Sequence, residues 1–168
     1  NKLFFFKIFV FLFITLFCIL GTWQLYRLQW KQNLINQINE GLKSTPIQYS
    51  KDIIVNYQRV SLEGKYDFKN QIYLYSLNEK GQPGFDVITP FETKEKENVL
   101  VNRGWIKKEF KKSLKINSSS SMITGLLREK GKKNIFTPKN DPKKNIWFSI
   151  NLNEIQKITG KKFNDYIV

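Results

Sequence analysis

One run of apolar residues near the start most constrains what this chain can fold into. Residues 3–20, LFFFKIFVFLFITLFCIL, are apolar except for Lys7 and Thr15. With residues 21–23 they reach the roughly 20 residues that a helix needs to cross a bilayer. A cleaved signal peptide would need small residues at a cleavage site, and the following GTWQLYRLQW offers no such pattern. The run therefore predicts an uncleaved transmembrane anchor over residues 1–23.

The helix is predicted to continue past the bilayer as a membrane-proximal extension over residues 24–45. Five apolar residues recur at helical spacing before the break at residues 41–46: Leu28, Leu34, Ile35, Ile38 and Leu42. One stripe of this helix carries the first candidate binding residues: Trp23, Gln24, Arg27, Trp30 and Lys31. The stripe is either an interfacial belt whose cations snorkel to the headgroups, which needs no partner, or a docking face for a partner protein.

The charge of the chain limits the classes of partner. Its formal net charge is +14, which suits anionic lipid or nucleic acid. However, the chain holds 24 Lys, four Arg and no Ala, a pattern typical of a coding bias, so much of the charge is expected to be compositional. No nucleic-acid-binding motif is recognised, and no nucleic-acid partner is predicted. The arginines are more informative, because lysine cannot replace a planar, forked donor.

The residue types available restrict the chemistry. The chain has no histidine and a single cysteine, Cys18, inside the apolar run. A disulfide framework, a zinc site of Cys/His type and a histidine-based triad are therefore excluded for this chain. The carboxylates show no pairing typical of a general acid and base, and neither GQPGF nor TGKK has the spacing of a phosphate-binding loop. We expect no catalytic residues, no metal site and no enzymatic activity.

Beyond the extension, the hydrophobic pattern changes from a helical period to alternation. Six strands are predicted, at residues 58–68, 72–77, 85–91, 99–106, 122–128 and 146–150. A short helix follows, capped by Asn151 or Asn153 and stopped by Gly160. Ile155 and Ile158 are predicted to lie on one face of this helix. The predicted fold class is α+β: an N-terminal transmembrane helix, then a mostly antiparallel sheet, curled towards a barrel, with one short helix over residues 46–168.

Two lysine-rich segments interrupt this domain, at residues 107–121 and 129–145. The bland interpretation of both is solvated coil. The functional interpretation is that a polybasic loop held near a bilayer attracts anionic headgroups, by about 1 kcal/mol per charge.

Three motifs, taken in order, resemble one protein family: GTWQLYRLQWK (21–31), GFDVITPF (84–91) and VLVNRGWIKK (99–108), with RVSLEG (59–64) and TGLLREKG (124–131) also in place. The arrangement resembles the surfeit locus protein one family, membrane-bound assembly factors for cytochrome c oxidase, over residues 21 to about 165. The motif residues are carried over as candidates only. Those for docking are Asn102, Arg103, Gly104 and Trp105, and those for structure are Gly21, Gly64, Gly84, Pro90 and Gly125.

The resemblance implies a bacterial or mitochondrial inner-membrane protein with two membrane helices and a soluble domain in the periplasm or intermembrane space. It also implies that the protein assists maturation of the haem-and-copper core subunit of the oxidase, and that some bacterial members bind haem A. The family's second membrane helix, with its proposed histidine ligand, has no counterpart before Val168. We expect a sequence shortened at its end, since it also starts without Met, and we assign no haem ligand.

The predicted function is therefore a non-enzymatic, membrane-bound factor that assists maturation of the oxidase core subunit, with haem A handling implied by resemblance alone. The alternative is a membrane-surface adaptor that binds anionic lipid and serves another membrane complex. A membrane-anchored enzyme is a third class, for which no site is identified.

Arg103 raises a local question in VLVNRGW. Strict alternation puts Val99, Val101, Arg103 and Trp105 on one face of a strand, so that a charge lies among buried residues. Arg103 would then need a carboxylate, such as Glu63, Asp67 or Asp86, or an aromatic ring. If Gly104 forms a bulge instead, the register slips and Arg103 turns outward. We predict that Arg103 is mainly a structural clamp, with a direct partner contact as the alternative. The family resemblance implies that this strand end belongs to the membrane-proximal end of the domain.

Overall fold

The structure is a computed structural model that describes residues 1–52, 55–112, 121–131 and 133–168. These residues form two compact units, 1–43 and 44–168. The first unit is one helix, α1 (Lys2–Lys43), which is long and apolar enough to cross a membrane. The hydroxyls of Thr15 and Thr22 donate to the carbonyl oxygens of Phe11 and Cys18, both at 2.9 Å, so neither needs a partner outside the helix.

The second unit contains a curled mixed sheet. Its strands are β1 (Ile47–Gln48), β2 (Arg59–Tyr66), β3 (Ile72–Leu77), β4 (Pro83–Thr93), β5 (Asn98–Lys107), β6 (Ser121–Leu126), β7 (Arg128–Glu129) and β8 (Tyr166–Ile167). The main path runs β1-β2-β4-β5-β8-β7, while β3 pairs with β4 and β6 pairs with β2. Strand β2 pairs with β6 along its length but with β4 only near its end. The pairs β1-β2 and β5-β8 are parallel, and the others are antiparallel.

The sheet has a hydrophobic cluster on each face. The first contains Tyr49, Val60, Leu62, Phe91, Val99, Val101 and Leu127. The second contains Ile72, Ile88, Leu100, Trp147, Ile150 and Ile155, and it includes the short helix α2 (Leu152–Thr159). Because both faces are covered, β5 is buried at three consecutive positions, 99 to 101.

Helix α2 begins and ends as its sequence predicts. The Asn151 side chain accepts hydrogen bonds from the backbone N–H groups of residues 153 and 154, and Gly160 ends the helix in the left-handed conformation (φ 69°). Ile155 is buried, but Ile158 is 52% exposed. The face predicted to carry both residues is therefore buried at Ile155 and open at Ile158.

The predicted α+β class is confirmed, with a long apolar helix, a curled and mostly antiparallel sheet and one short helix. The strand predicted at residues 146–150 is wrong, because only two isolated bridges form there, Trp147 with Leu74 and Ile146 with Asp141. Asn140 explains the difference: its side-chain oxygen accepts from the N–H groups of Phe148 and Ser149, at 2.9 and 3.2 Å. Those donors are unavailable for a sheet ladder.

Candidate docking site

A β-bulge in β5 determines which way each residue of the NRGW motif points. Ile88 on β4 pairs with Asn102 and Asp86 pairs with Trp105, so one intervening residue on β4 opposes two on β5. Gly104 has φ 102°, which favours glycine. The extra residue returns Trp105 to the face of Asn102. The Gly104 bulge considered from the sequence is confirmed, while the placement of Trp105 on the face of Arg103 is wrong.

Trp105 lies across β4 because Gly84 leaves room for it. A Cβ atom added at Gly84 would collide with the indole ring and with the backbone oxygen of Ile106. The indole N–H then reaches β3, where it donates to the backbone oxygen of Ser76 at 3.4 Å. The GFD and NRGW motifs are thus parts of one contact.

Trp105 forms one wall of an open groove of about 1010 Å³. Asn102 and Asp86 line the same groove, as does Arg128 of β7. The hydroxyl oxygen of Ser76, also in the lining, is buried and makes no hydrogen bond with any residue that the structure describes. The groove therefore offers an aromatic surface, an amide and charges of both signs.

Sequence reasoning missed two of these groove residues. From the sequence, Arg128 is only one of four arginines, and Asp86 is expected only as a partner for Arg103. The period-two spacing of Gly84 and Asp86 was a usable signal, because it puts both on one face of β4. No local pattern indicates that Arg128 lies near Asn102.

Arg103 lies on the opposite face and stacks on aromatic rings. Its guanidinium carbon is 5.4 Å from the ring centre of Tyr66 and 5.0 Å from that of Phe68. Its Nη1 donates to Oε1 of Gln71 at 3.1 Å, and the same oxygen accepts from the hydroxyl of buried Thr89. Burial raises the pKa of Tyr66, and the Arg103 charge opposes this shift. The ring alternative is the observed geometry, although the side chain keeps substantial exposure.

The carboxylates proposed for Arg103 do not pair with it within the described residues. Glu63 pairs with Lys94 at 2.6 Å, and Asp67 pairs with Lys161 at 3.1 Å. Asp86 lies in the groove on the other face. The carboxylate alternative is therefore wrong.

Asp67 and Lys161 form a half-buried pair. Burial tends to raise the pKa of Asp67, but hydrogen bonds from Asn70 and Lys161 outweigh it and hold this pKa below its usual value. Burial likewise tends to lower the pKa of Lys161, but Asp67 and Glu92 hold it above its usual value.

The candidate stripe on α1 contains a cation–π contact between two of its own side chains. The Arg27 guanidinium carbon lies 5.5 Å from the ring centre of Trp23. Gln24, Trp30 and Lys31 are also exposed on this unit. The geometry fits both an interfacial belt and a docking face, so that choice stays a prediction.

Three of the structural candidates lie where another chain segment approaches closely. A Cβ atom at Gly64 would collide with the backbone oxygen of Glu92, and one at Gly125 would lie 2.7 Å from Cγ1 of Val168. Gly84 is the third, beneath Trp105. Pro90 is fully buried within β4. Gly21, by contrast, has open space around it within the described residues.

The residues of this chain do not fit haem A as axial ligands. There is no histidine, Cys18 lies on α1, and the Met122 side chain is 75% exposed on β6. An axial ligand must be held facing the iron, and a thioether that projects into solvent does not provide this.

Known proteins resemble this chain over most of its length. The model of the SURF1 family matches residues 11–167. The SURF1-like protein of Rickettsia conorii (strain ATCC VR-613 / Malish 7) is 30% identical over 164 residues, which cover 95% of this chain and 68% of that protein. Surfeit locus protein 1 of Gallus gallus is 32% identical over an alignment of 171 positions that covers 88% of this chain and 55% of that protein. The SURF1-like protein of Dictyostelium discoideum is 28% identical over an alignment of 174 positions that covers 79% of this chain and 64% of that protein.

The chain thus spans only part of these relatives, from 55% to 68% of their lengths. The family match nevertheless includes both motifs of the Trp105 contact, the bulge at Gly104 and most of α1. This chain therefore belongs to the SURF1 family.

Proposed function

We propose that this protein is a membrane-anchored assembly factor that holds the haem-and-copper core subunit of cytochrome c oxidase during its maturation. Family membership supports this proposal, and the groove beside Trp105 is the observation that assigns the docking surface to particular residues. In this proposal α1 anchors the chain in a bacterial or mitochondrial inner membrane, with the second unit in the periplasm or intermembrane space.

The groove has the chemistry of a docking surface. Trp105 is half-buried and fixed by Gly84 beneath it and by its hydrogen bond to Ser76. Because the indole is already held in place, covering it costs little side-chain entropy. Tryptophan and arginine are also among the residues most enriched in binding hot spots. Arg128 and Asp86 supply charges of opposite sign for orientation.

The same groove does not favour catalysis. Its lining includes neither histidine nor cysteine, and Ser76 lies there without a general base of the usual kind. We therefore propose docking and not turnover. Because the residues of this chain do not fit a haem ligand set, no step of the proposal is assigned to haem A.

Affinity purification of the tagged full chain from respiring membranes tests the proposal. We expect the oxidase core subunit to co-purify with the wild-type chain. Arg128→Glu, which reverses an exposed charge in the groove, should reduce its recovery several-fold. Lys65→Glu is the matched control, since it reverses an exposed charge on β2 that does not line the groove.

Two results would count against it. One is absence of oxidase subunits from the wild-type purification together with an unchanged oxidase spectrum after gene deletion. The other is recovery of a different membrane complex alone, which would support the adaptor alternative.

A further inference from the structure

The two most exposed large apolar side chains of the described residues are neighbours at one turn. Ile135 is 92% exposed and Phe136 is 86% exposed. Neither takes part in either hydrophobic cluster of the second unit. Adjacent apolar side chains held away from a core are unusual on a soluble surface and mark a contact with something else.

The turn itself is well built. Ile135 and Phe136 are the central residues of a β-turn from Asn134 to Thr137, closed by the Thr137 N–H donating to the Asn134 carbonyl at 3.2 Å. The Asn134 side-chain oxygen also accepts from the Phe136 N–H at 2.9 Å and from the Thr137 hydroxyl at 3.0 Å. These bonds fix the backbone of the turn and place both apolar side chains at its tip.

Lysines flank this tip in the sequence. Residues 129–145 contain six lysines and only two carboxylates, Glu129 and Asp141. Lys130 pairs with Asp165, and Lys144 lies 3.7 Å from Asp141. Lys133, Lys139 and Lys143 are exposed and form no ion pair within the described residues. The segment thus keeps a net positive field next to its apolar pair.

We propose that the Ile135–Phe136 turn is a second membrane contact that inserts into an anionic lipid surface. The two side chains would enter the boundary between headgroups and acyl chains, while the neighbouring lysines stay among lipid phosphates. The pattern fits lipid better than a protein groove, because two apolar side chains at a narrow tip are far from the area of a stable protein interface. A chain carried in the same bilayer by α1 would meet that surface at high effective concentration.

This proposal shares with the proposed function only the anchoring of α1 in a bilayer, and it does not depend on partner binding by the groove. A lipid contact at residues 135 and 136 could exist whether or not the groove beside Trp105 binds an oxidase subunit. The two are tested on different residues and with different readouts, so the failure of one leaves the other standing.

The test uses the full chain in proteoliposomes, with Cys18→Ser so that a single new cysteine carries an environment-sensitive fluorophore. Pro138→Cys places the fluorophore beside the tip, and Glu95→Cys places it on another exposed turn as a control. The vesicles are phosphatidylcholine alone or an equal mixture with phosphatidylglycerol, each with and without brominated acyl chains. We expect a blue shift and bromine quenching at position 138 in the anionic vesicles only, and neither effect at position 95.

Ile135→Ser together with Phe136→Ser should abolish the shift at position 138 while leaving the melting temperature unchanged, because neither side chain packs in the core. Equal signals in neutral and anionic vesicles would overturn the proposal, as would a shift that survives the double substitution. A shift already present in detergent, rising with protein concentration, would assign the turn to a second copy of the chain and would also overturn it.

Discussion

Replacing Arg103 by lysine tests whether this arginine is a structural clamp. Its guanidinium contacts two rings and one amide oxygen, and an ammonium cannot stack on Tyr66 and Phe68 while donating to Gln71. Each exposed cation–π contact contributes about 0.5–1 kcal/mol, and a lysine retains part of the total. We expect Arg103→Lys to lower the free energy of unfolding by about 1–2 kcal/mol, or the melting temperature by about 3 to 10 °C.

Near-UV circular dichroism of the full chain in detergent is the appropriate measurement, because α1 would dominate the far-UV signal after the second unit had melted. Arg128→Lys is the matched control, since that arginine lies exposed in the groove, and it should stay within about 0.5 kcal/mol of wild type. If Arg103→Lys has the same melting temperature as the wild type, the clamp is refuted. An unchanged melting temperature with loss of partner recovery would identify Arg103 as a direct contact.

Four further substitutions probe other parts of the second unit. Gly84→Ala should destabilise it by about 1–3 kcal/mol, because the added methyl group collides with the indole above it; a lost near-UV tryptophan signal would accompany this. Ile155→Ala should cost about 2–5 kcal/mol and Ile158→Ala less than about 1 kcal/mol, because only the first is buried; equal losses in urea melts would contradict the packing described. Asp67 has a lowered pKa, so its stabilisation is present above the usual carboxyl range and is lost as pH falls through that lowered value. Because Lys161 is the partner of Asp67, Asp67→Asn should be less stable than wild type near neutral pH. It should also lose less stability on acidification to about pH 3. Identical pH profiles of the two proteins would refute this.

Local patterns explain why much of the sheet could be predicted. Strand β3 spans Ile72–Leu77 as alternation predicts, and β2, β4 and β5 differ from their predictions only at the ends. The same holds for α2, because Asn151 and Gly160 act within one helical turn of its ends. Where neighbours in sequence decide the backbone conformation, the sequence alone is enough to predict the element.

The remaining features depend on distant partners. β1 and β8 have two residues each, too few for a period, and they form only because β2 and β5 offer them an edge. The groove has the same origin, since Trp105 shares a face with Asn102 through a bulge, and Arg128 arrives from another strand. Gly104 indicated that a bulge could form, but only the pairing with β4 decides that it does.

The parallel pairing of β5 with β8 ties completion of this edge of the sheet to a segment that is synthesised more than fifty residues after β5. Leu100 pairs with Ile167, and the backbone of Val168 exchanges hydrogen bonds with residues 100 and 102. Once β5 has been made, residues 108–165 must follow before this edge is covered. At about 5–20 residues per second, the edge stays open for about 3 to 12 s. A growing chain therefore presents an unpaired strand to its surroundings for seconds, and cross-linking of stalled nascent chains should show β5 becoming protected only after residue 168 has emerged.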